Sequence, residues 1–146
     1  DRGQEVLIPD PGFVLYASHA QIEGATPVPY NLSQENGFVP RPEEIQEKIT
    51  KDTAMVVLNS PANPTGGVTD GKTLKAIAEI CDDAGVLLVS DEVYDTMVFD
   101  GEHESILRYS EDAIVTNGST AVVGATAGVE GRTQSRSPYG AKKPKG

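Results

Sequence analysis

The chain has 146 residues and a formal net charge of −10, enough for one domain with an apolar core and too short for two ordinary ones. That acidic balance argues against a nucleic-acid partner, and no apolar run is long enough to span a bilayer. The single cysteine, Cys81, excludes an internal disulfide and suits a reducing compartment; no basic-then-apolar leader opens the chain, so the cytosol is the expected location.

Residues 6–8 form a short apolar run before Pro9 and predict a strand. Residues 13–22 fit a helix that Gly24 stops. Residues 26–30 read as extended because Pro27 and Pro29 exclude a helix interior, and the polar turn NLSQENG follows. Residues 42–49 predict a short helix, with Pro42 suited to its first position and Glu43 and Glu44 to its positive end. Residues 54–58 (AMVVL) are continuously apolar, the pattern of a strand buried on both faces. The rigid, polar loop NSPANPTGG comes next. Thr69 or Asp70 then caps a helix in which Leu74, Ile77, Ala78 and Cys81 recur at i, i+3, i+4 and i+7, and Gly85 ends it. A second apolar run, VLLV at 86–89, leads into SDEVYD, and residues 113–116 suggest a third strand.

Strand, loop, helix and strand in this order predict a βαβ unit with parallel strands and a right-handed crossover. Parallel strands put their carboxyl ends on one edge of the sheet, where open α/β sheets bind ligands. The loops NSPANPTGG and SDEVY both leave from such ends, so they are expected to face one crevice. Asp91 stands at the mouth of a buried strand, where a carboxylate is costly without a positive or hydrogen-bonding partner. Tyr94, three residues on, can bring its hydroxyl to the same side. Asn63 precedes Pro64, which biases it to an extended conformation, and Gly66 and Gly67 permit close backbone approach or positive φ. Each residue also has a plainer reading: a helix cap or surface charge for Asp91, edge packing for Tyr94, and turn initiation for Asn63.

NSPANPTGG followed by VLLVSDEVY resembles the class I and II aminotransferases, which are fold-type I pyridoxal-5′-phosphate (PLP) enzymes. The opening EVLIPDPGFVLYASHAQIEGATPVPY is similar to their segment between the cofactor-stacking aromatic and the next strand, and the likeness covers roughly residues 4–118. The resemblance implies an α/β fold, a mostly parallel sheet with flanking helices forming part of a large domain. It implies that Asp91 pairs with the pyridine nitrogen of PLP. A carboxylate there keeps that nitrogen protonated, so the ring accepts the electrons left by Cα–H cleavage. It further implies that Asn63 and Tyr94 hydrogen-bond the ring's 3′ oxygen and that Phe13 stacks on the ring, an ordinary core or edge aromatic being its plainer reading. Small amino acids and 2-oxo acids are the implied partners, and the family forms homodimers across the active site.

The family continues with a pattern like NGFSKTYAMTGWRLGY, whose lysine forms the Schiff base with PLP and whose arginine binds the cofactor phosphate. This sequence matches as far as AIVTNG, residues 113–118, and then reads STAVVGATAGVEGRTQSRSPYG. No lysine occurs between Lys75 and Lys142, and Lys142, Lys143 and Lys145 lie in a Gly/Pro-rich stretch, so none is assigned the Schiff-base role. The chain reads as a fragment: residues 1–118 as a partial PLP-binding large domain, and residues 119–146 as an aberrant, disordered, basic tail. Two alternatives stand beside an inactive aminotransferase fragment. One is a fragment of a lyase or synthase of the same fold type, such as a β-C–S lyase or an aminocyclopropane-carboxylate synthase. The other is a non-enzymatic truncated gene product or interaction module. Removal of neighbouring strands is expected to expose apolar edges and faces and leave the chain poorly soluble or molten. His19 and His103 have no partner at metal spacing, so they read as surface or core histidines and no metal site is proposed. Asp82 and Asp83 read as a solvated helix end, and Cys81 as core.

Overall fold

The computed structural model describes residues 2–117. In chain order they form β1 (Glu5–Asp10), α1 (Leu15–Ile22), β2 (Thr26–Asn31), α2 (Pro42–Lys48), β3 (Thr53–Asn59), α3 (Gly71–Ala84), β4 (Leu87–Asp91) and β5 (Ile114–Thr116). Short 3-10 turns at Gln34–Asn36 and Ile106–Arg108 complete the set. The strands make one five-stranded sheet in the order β2-β1-β3-β4-β5, and every pairing is parallel. This is the α/β architecture expected from the βαβ pattern. The order reverses between β1 and β3, which opens a crevice at the carboxyl ends of those strands.

The longest helix, α3, follows its sequence signals closely. Asp70 is extended and its side chain accepts from the Thr73 N–H, satisfying one of the free donors of the first turn. Leu74, Ile77, Ala78 and Cys81 are buried, and Gly85 ends the helix at φ +67°, a left-handed position that favours glycine. That stripe packs with Ile45 of α2 onto Val56, Leu58 and Leu88 of the sheet. Burying each large aliphatic side chain contributes about 1.5–3 kcal/mol. Asp82 and Asp83 are exposed at the helix end, as expected.

β2 tolerates Pro27 and Pro29 because, among the described residues, it is an edge strand paired only with β1. Tyr30, at its end, is buried and donates its hydroxyl to the Val57 carbonyl at 2.7 Å.

Three differences from the sequence reading have physical causes. The helix expected over 13–22 begins at Leu15, with Val14 as an uncapped N-cap. Phe13 falls in the preceding turn, where Gly12 lies so close to the Pro9 carbonyl that a Cβ would clash. Asn63 lies in a turn rather than in extended chain, because its N–H is drawn back to Asn59 Oδ1 and the Gly66 N–H closes the loop onto the Ala62 carbonyl. The strand at 54–58, expected to be buried on both faces, is, like its neighbour β4, covered fully on one. Met55, Leu87 and Val89 point away from α2 and α3 and are half-buried, because α1 is the only described helix on that side. The boundary expected at Gly118 and the tail 119–146 lie outside the described residues.

Candidate functional site

The register of β3 and β4 sets Asn59 directly opposite Asp91, with Val57 opposite Val89 one step below. Side chains two apart share a face, so both strands deliver a polar residue to the same side of the sheet as the chain leaves it. A hollow of about 330 Å³ opens there. Phe13 lines it from just before α1 and Tyr16 from its first turn, Asn59 and Asn63 from the end of β3 and its loop, and Asp91, Val93 and Tyr94 from the end of β4 and its loop. Thr116, at the end of β5, and Asn117 just after it close the hollow. All four residues singled out in the sequence, Phe13, Asn63, Asp91 and Tyr94, therefore meet at one cavity.

Asp91 is half-buried and held at both oxygens. Its Oδ1 accepts from the Val93 N–H at 3.3 Å and its Oδ2 from the Tyr16 hydroxyl at 2.5 Å. Its carbonyl accepts from the Ser60 N–H at 3.1 Å, which ties the two loops at their roots. Burial, then the hydrogen bond and charge of Asp91, push the Tyr16 phenol well above its ordinary value. Tyr16 is therefore a neutral, permanent donor to the carboxylate at ordinary pH.

Phe13 is 38% exposed and meets Tyr16 edge-to-face, with ring centroids 5.7 Å apart and planes at 80°. The Asn63 loop is closed on itself by Ala62 N–H to Gly67 O at 2.9 Å and Gly66 N–H to Ala62 O at 2.7 Å. Gly66 holds φ +76°, and a Cβ on Gly67 would lie 2.6 Å from the Phe38 carbonyl oxygen. Both glycines are required by geometry, one for its φ and the other for close approach. Tyr94 sits in a turn closed by Asp95 N–H to Glu92 O and Met97 N–H to Tyr94 O. Asn117 donates to Asp95 at 2.9 Å, joining the end of β5 to that turn.

Beneath this turn lies Glu92, which is 4% exposed. Its Oε1 accepts from Ser90 Oγ at 3.0 Å and the Ile106 N–H at 2.9 Å, and its Oε2 faces His103 Nε2 at 3.2 Å. Burial pushes the carboxyl up, but the hydrogen bonds of His103, Ile106 and Ser105 and the His103 charge outweigh it and hold it below its ordinary value. His103 is thus a largely buried structural partner, whereas His19 is exposed.

Tyr16, Asn59 and the Glu92–His103 pair are absent from the sequence reading. Tyr16 had a signal: it falls three residues after Phe13, within reach on a first helical turn. No residue lining the hollow is a lysine, among the described residues. Lys142, Lys143 and Lys145 lie outside them.

The sequence model for aminotransferase class I and II matches residues 1–128. The chain belongs to that family. An aspartate aminotransferase of Pyrococcus horikoshii is 43% identical to this aminotransferase-family chain over 119 residues, covering 80% of the chain and 30% of that enzyme. One from Geobacillus stearothermophilus is 38% identical over 123 residues, covering 81% and 31%. The solved aspartate aminotransferase of Thermus thermophilus with maleate superposes with a TM-score of 0.79 at 36% identity, over 88% of the chain and 34% of that structure. The present chain thus spans about a third of the length of the relatives it matches. Membership of the family implies PLP as its cofactor.

Proposed function

We propose that this chain supplies the ring-binding edge of a PLP-dependent aminotransferase, which moves an amino group between an amino acid and a 2-oxo acid. The observation that carries the reading is the meeting of Asp91, Asn63, Tyr94 and Phe13 around one hollow at the carboxyl ends of parallel strands.

The donor set fits the group. A flat, protonated pyridine with an oxygen on its edge needs an anion at its nitrogen, donors at its oxygen and an apolar wall. Asp91 is the anion, the Asn63 amide and the Tyr94 hydroxyl are the donors, and Phe13 is the wall. When bound, PLP serves as an electron sink for the pair left by bond cleavage at the substrate Cα. Asp91 keeps a proton on the ring nitrogen by its opposite charge. Tyr16 and the Val93 N–H fix the plane of that carboxylate. Asn63 and Tyr94 orient the ring from its oxygen edge, and Phe13 limits water on one face. The amine that attaches covalently to the cofactor is not assigned to any described residue.

Its likeness to aspartate aminotransferases favours amino transfer over the lyase or synthase reactions of the same fold type. The reading carries a homodimer and small amino acid and 2-oxo acid partners with it. A reducing cytosol suits the unpaired, buried Cys81.

Calorimetric titration of the full chain with PLP tests the reading. The wild type binds, and Asp91→Ala weakens binding by about tenfold to a hundredfold, the scale of a lost charged hydrogen bond. Equal affinity of wild type and Asp91→Ala overturns the assignment. Absence of binding by the wild type favours a non-enzymatic gene product.

A further inference from the structure

Asn59 ends β3 and is 7% exposed, although its side chain is fully polar. A buried amide is costly unless its donors and acceptor are met. Here they are met by three backbone groups in three different places. Nδ2 donates to the Asp91 carbonyl at 3.0 Å and to the Pro61 carbonyl at 3.2 Å, and Oδ1 accepts from the Asn63 N–H at 2.7 Å. One planar group therefore connects the backbone of Asn63 to the backbone of Asp91.

We propose that Asn59 is a positioning residue that sets the spacing between the Asn63 amide and the Asp91 carboxylate, an inference that rests on the ring-binding reading of the hollow. The two residues belong to loops separated in sequence. The Ser60 N–H also bonds to the Asp91 carbonyl, but it stops at the root of the loop. The bonds that close the turn, Ala62 to Gly67 and Gly66 to Ala62, are internal to it and leave its attitude to β4 open. Asn59 supplies the direct link from Asn63 to β4. Both of its amide hydrogens are taken by backbone carbonyls, so it has no donor left for a bound ring and contributes through the geometry of the two loops.

Two variants of the full chain test this. Asn59→Ala removes all three bonds. Asn59→Asp keeps an acceptor for the Asn63 N–H but turns a carboxylate oxygen toward two carbonyls, and only its protonated form restores a donor. Amide hydrogen exchange at Asn63 needs no ligand and reads the brace itself; the α3 amides of Leu74, Ile77 and Ala78 report whether the fold is intact. The expected result is exchange at Asn63 faster by about tenfold or more in Asn59→Ala, with α3 protection retained. The PLP dissociation constant rises by about tenfold. In Asn59→Asp the affinity deficit relative to wild type narrows as pH is lowered and position 59 takes up a proton. Unchanged Asn63 exchange in Asn59→Ala overturns the proposal, as does faster exchange with unchanged PLP affinity. If the wild type binds no PLP, the ring-binding reading fails, and the Asn63 exchange rate still decides whether Asn59 holds the loop.

Discussion

The Tyr16 hydroxyl donates to Asp91 Oδ2 at 2.5 Å across 75 residues of sequence. It leaves the carboxylate with one oxygen braced by a phenol and the other by the Val93 N–H. A carboxylate so held cannot rotate freely, and it lines the hollow. Tyr16 thereby joins α1 to the end of β4 and makes the Phe13 turn part of the same unit.

Tyr16→Phe removes that bond and keeps the ring that meets Phe13. A hydrogen bond to a charged group is worth about 1.5–3 kcal/mol, so PLP affinity is expected to fall by about tenfold or more. The Tyr16 phenol is raised by burial and by Asp91, so it contributes no limb to the pH profile of binding below about pH 10. Fluorescence titration of both proteins measures this, and equal affinities would remove Tyr16 from the site.

Gly66 and Gly67 are adjacent but constrained differently. An alanine at Gly66 meets open space and costs only the left-handed φ, about 1 kcal/mol. At Gly67 it meets the Phe38 carbonyl, and Phe38 already holds φ +57°, so the neighbouring segment has little room to yield. Gly67→Ala is expected to destabilise by about 1–3 kcal/mol, more than Gly66→Ala. Urea denaturation of the pair checks the order, and the reverse order would contradict the contact.

Two buried groups bound the pH range of stability. Glu92 is held below its ordinary value of 4.5, so its contribution is present above that pH and is lost as pH falls through the lower, folded value. Burial, and then Asp82, push Cys81 from 9.0 up to about 12, so its contribution is present below pH 9 and is lost as pH rises. Stability is expected to plateau between these limits. Glu92→Gln flattens part of the acid limb, the lowered Glu44 and Glu104 carboxyls retaining the rest, and costs about 1.5–3 kcal/mol at neutral pH. Cys81→Ala flattens part of the alkaline limb by about 1.4 kcal/mol per pH unit, the raised Tyr16 and Tyr30 phenols retaining the rest. Urea midpoints across pH measure both effects, and limbs unaltered by the substitutions would contradict the assignment.

The sheet face opposite α2 and α3 carries a groove of about 510 Å³ lined by Val6, Met55, Val57, Leu87 and Val89. An apolar surface of this kind binds fluorescent dyes and promotes association. The full chain is expected to bind 8-anilinonaphthalene sulfonate in its folded state, and Leu87→Lys to weaken that binding and raise solubility. No dye binding by the wild type would mean that this face is covered.

The parts of the fold legible in the sequence were those written in local chemistry. The Asp70 cap, the stripe from Leu74 to Cys81 and the Gly85 stop all depend on neighbours within a few residues, and α3 follows them. Topology alone predicts that the loops of Asn63, Asp91 and Tyr94 face one crevice, and all three residues line one hollow. Tyr16 and Asn59 were not legible, since a hydroxyl and an amide acquire their partners only when distant strands come into register. His103 lay in a charged stretch, and nothing local marks its burial against Glu92, 11 residues away. The half-covered sheet face was misread for a related reason: a continuous apolar run records which side chains are apolar, not how many helices are present to cover them.

The pairing of Asp91 with a ring nitrogen is tested most directly by the 15N chemical shift of PLP labelled at its pyridine nitrogen and bound to the full chain. The wild type should give the shift of a protonated ring, and Asp91→Ala that of a neutral one. A neutral nitrogen in the wild type, or a protonated one in both proteins, would contradict the role of Asp91.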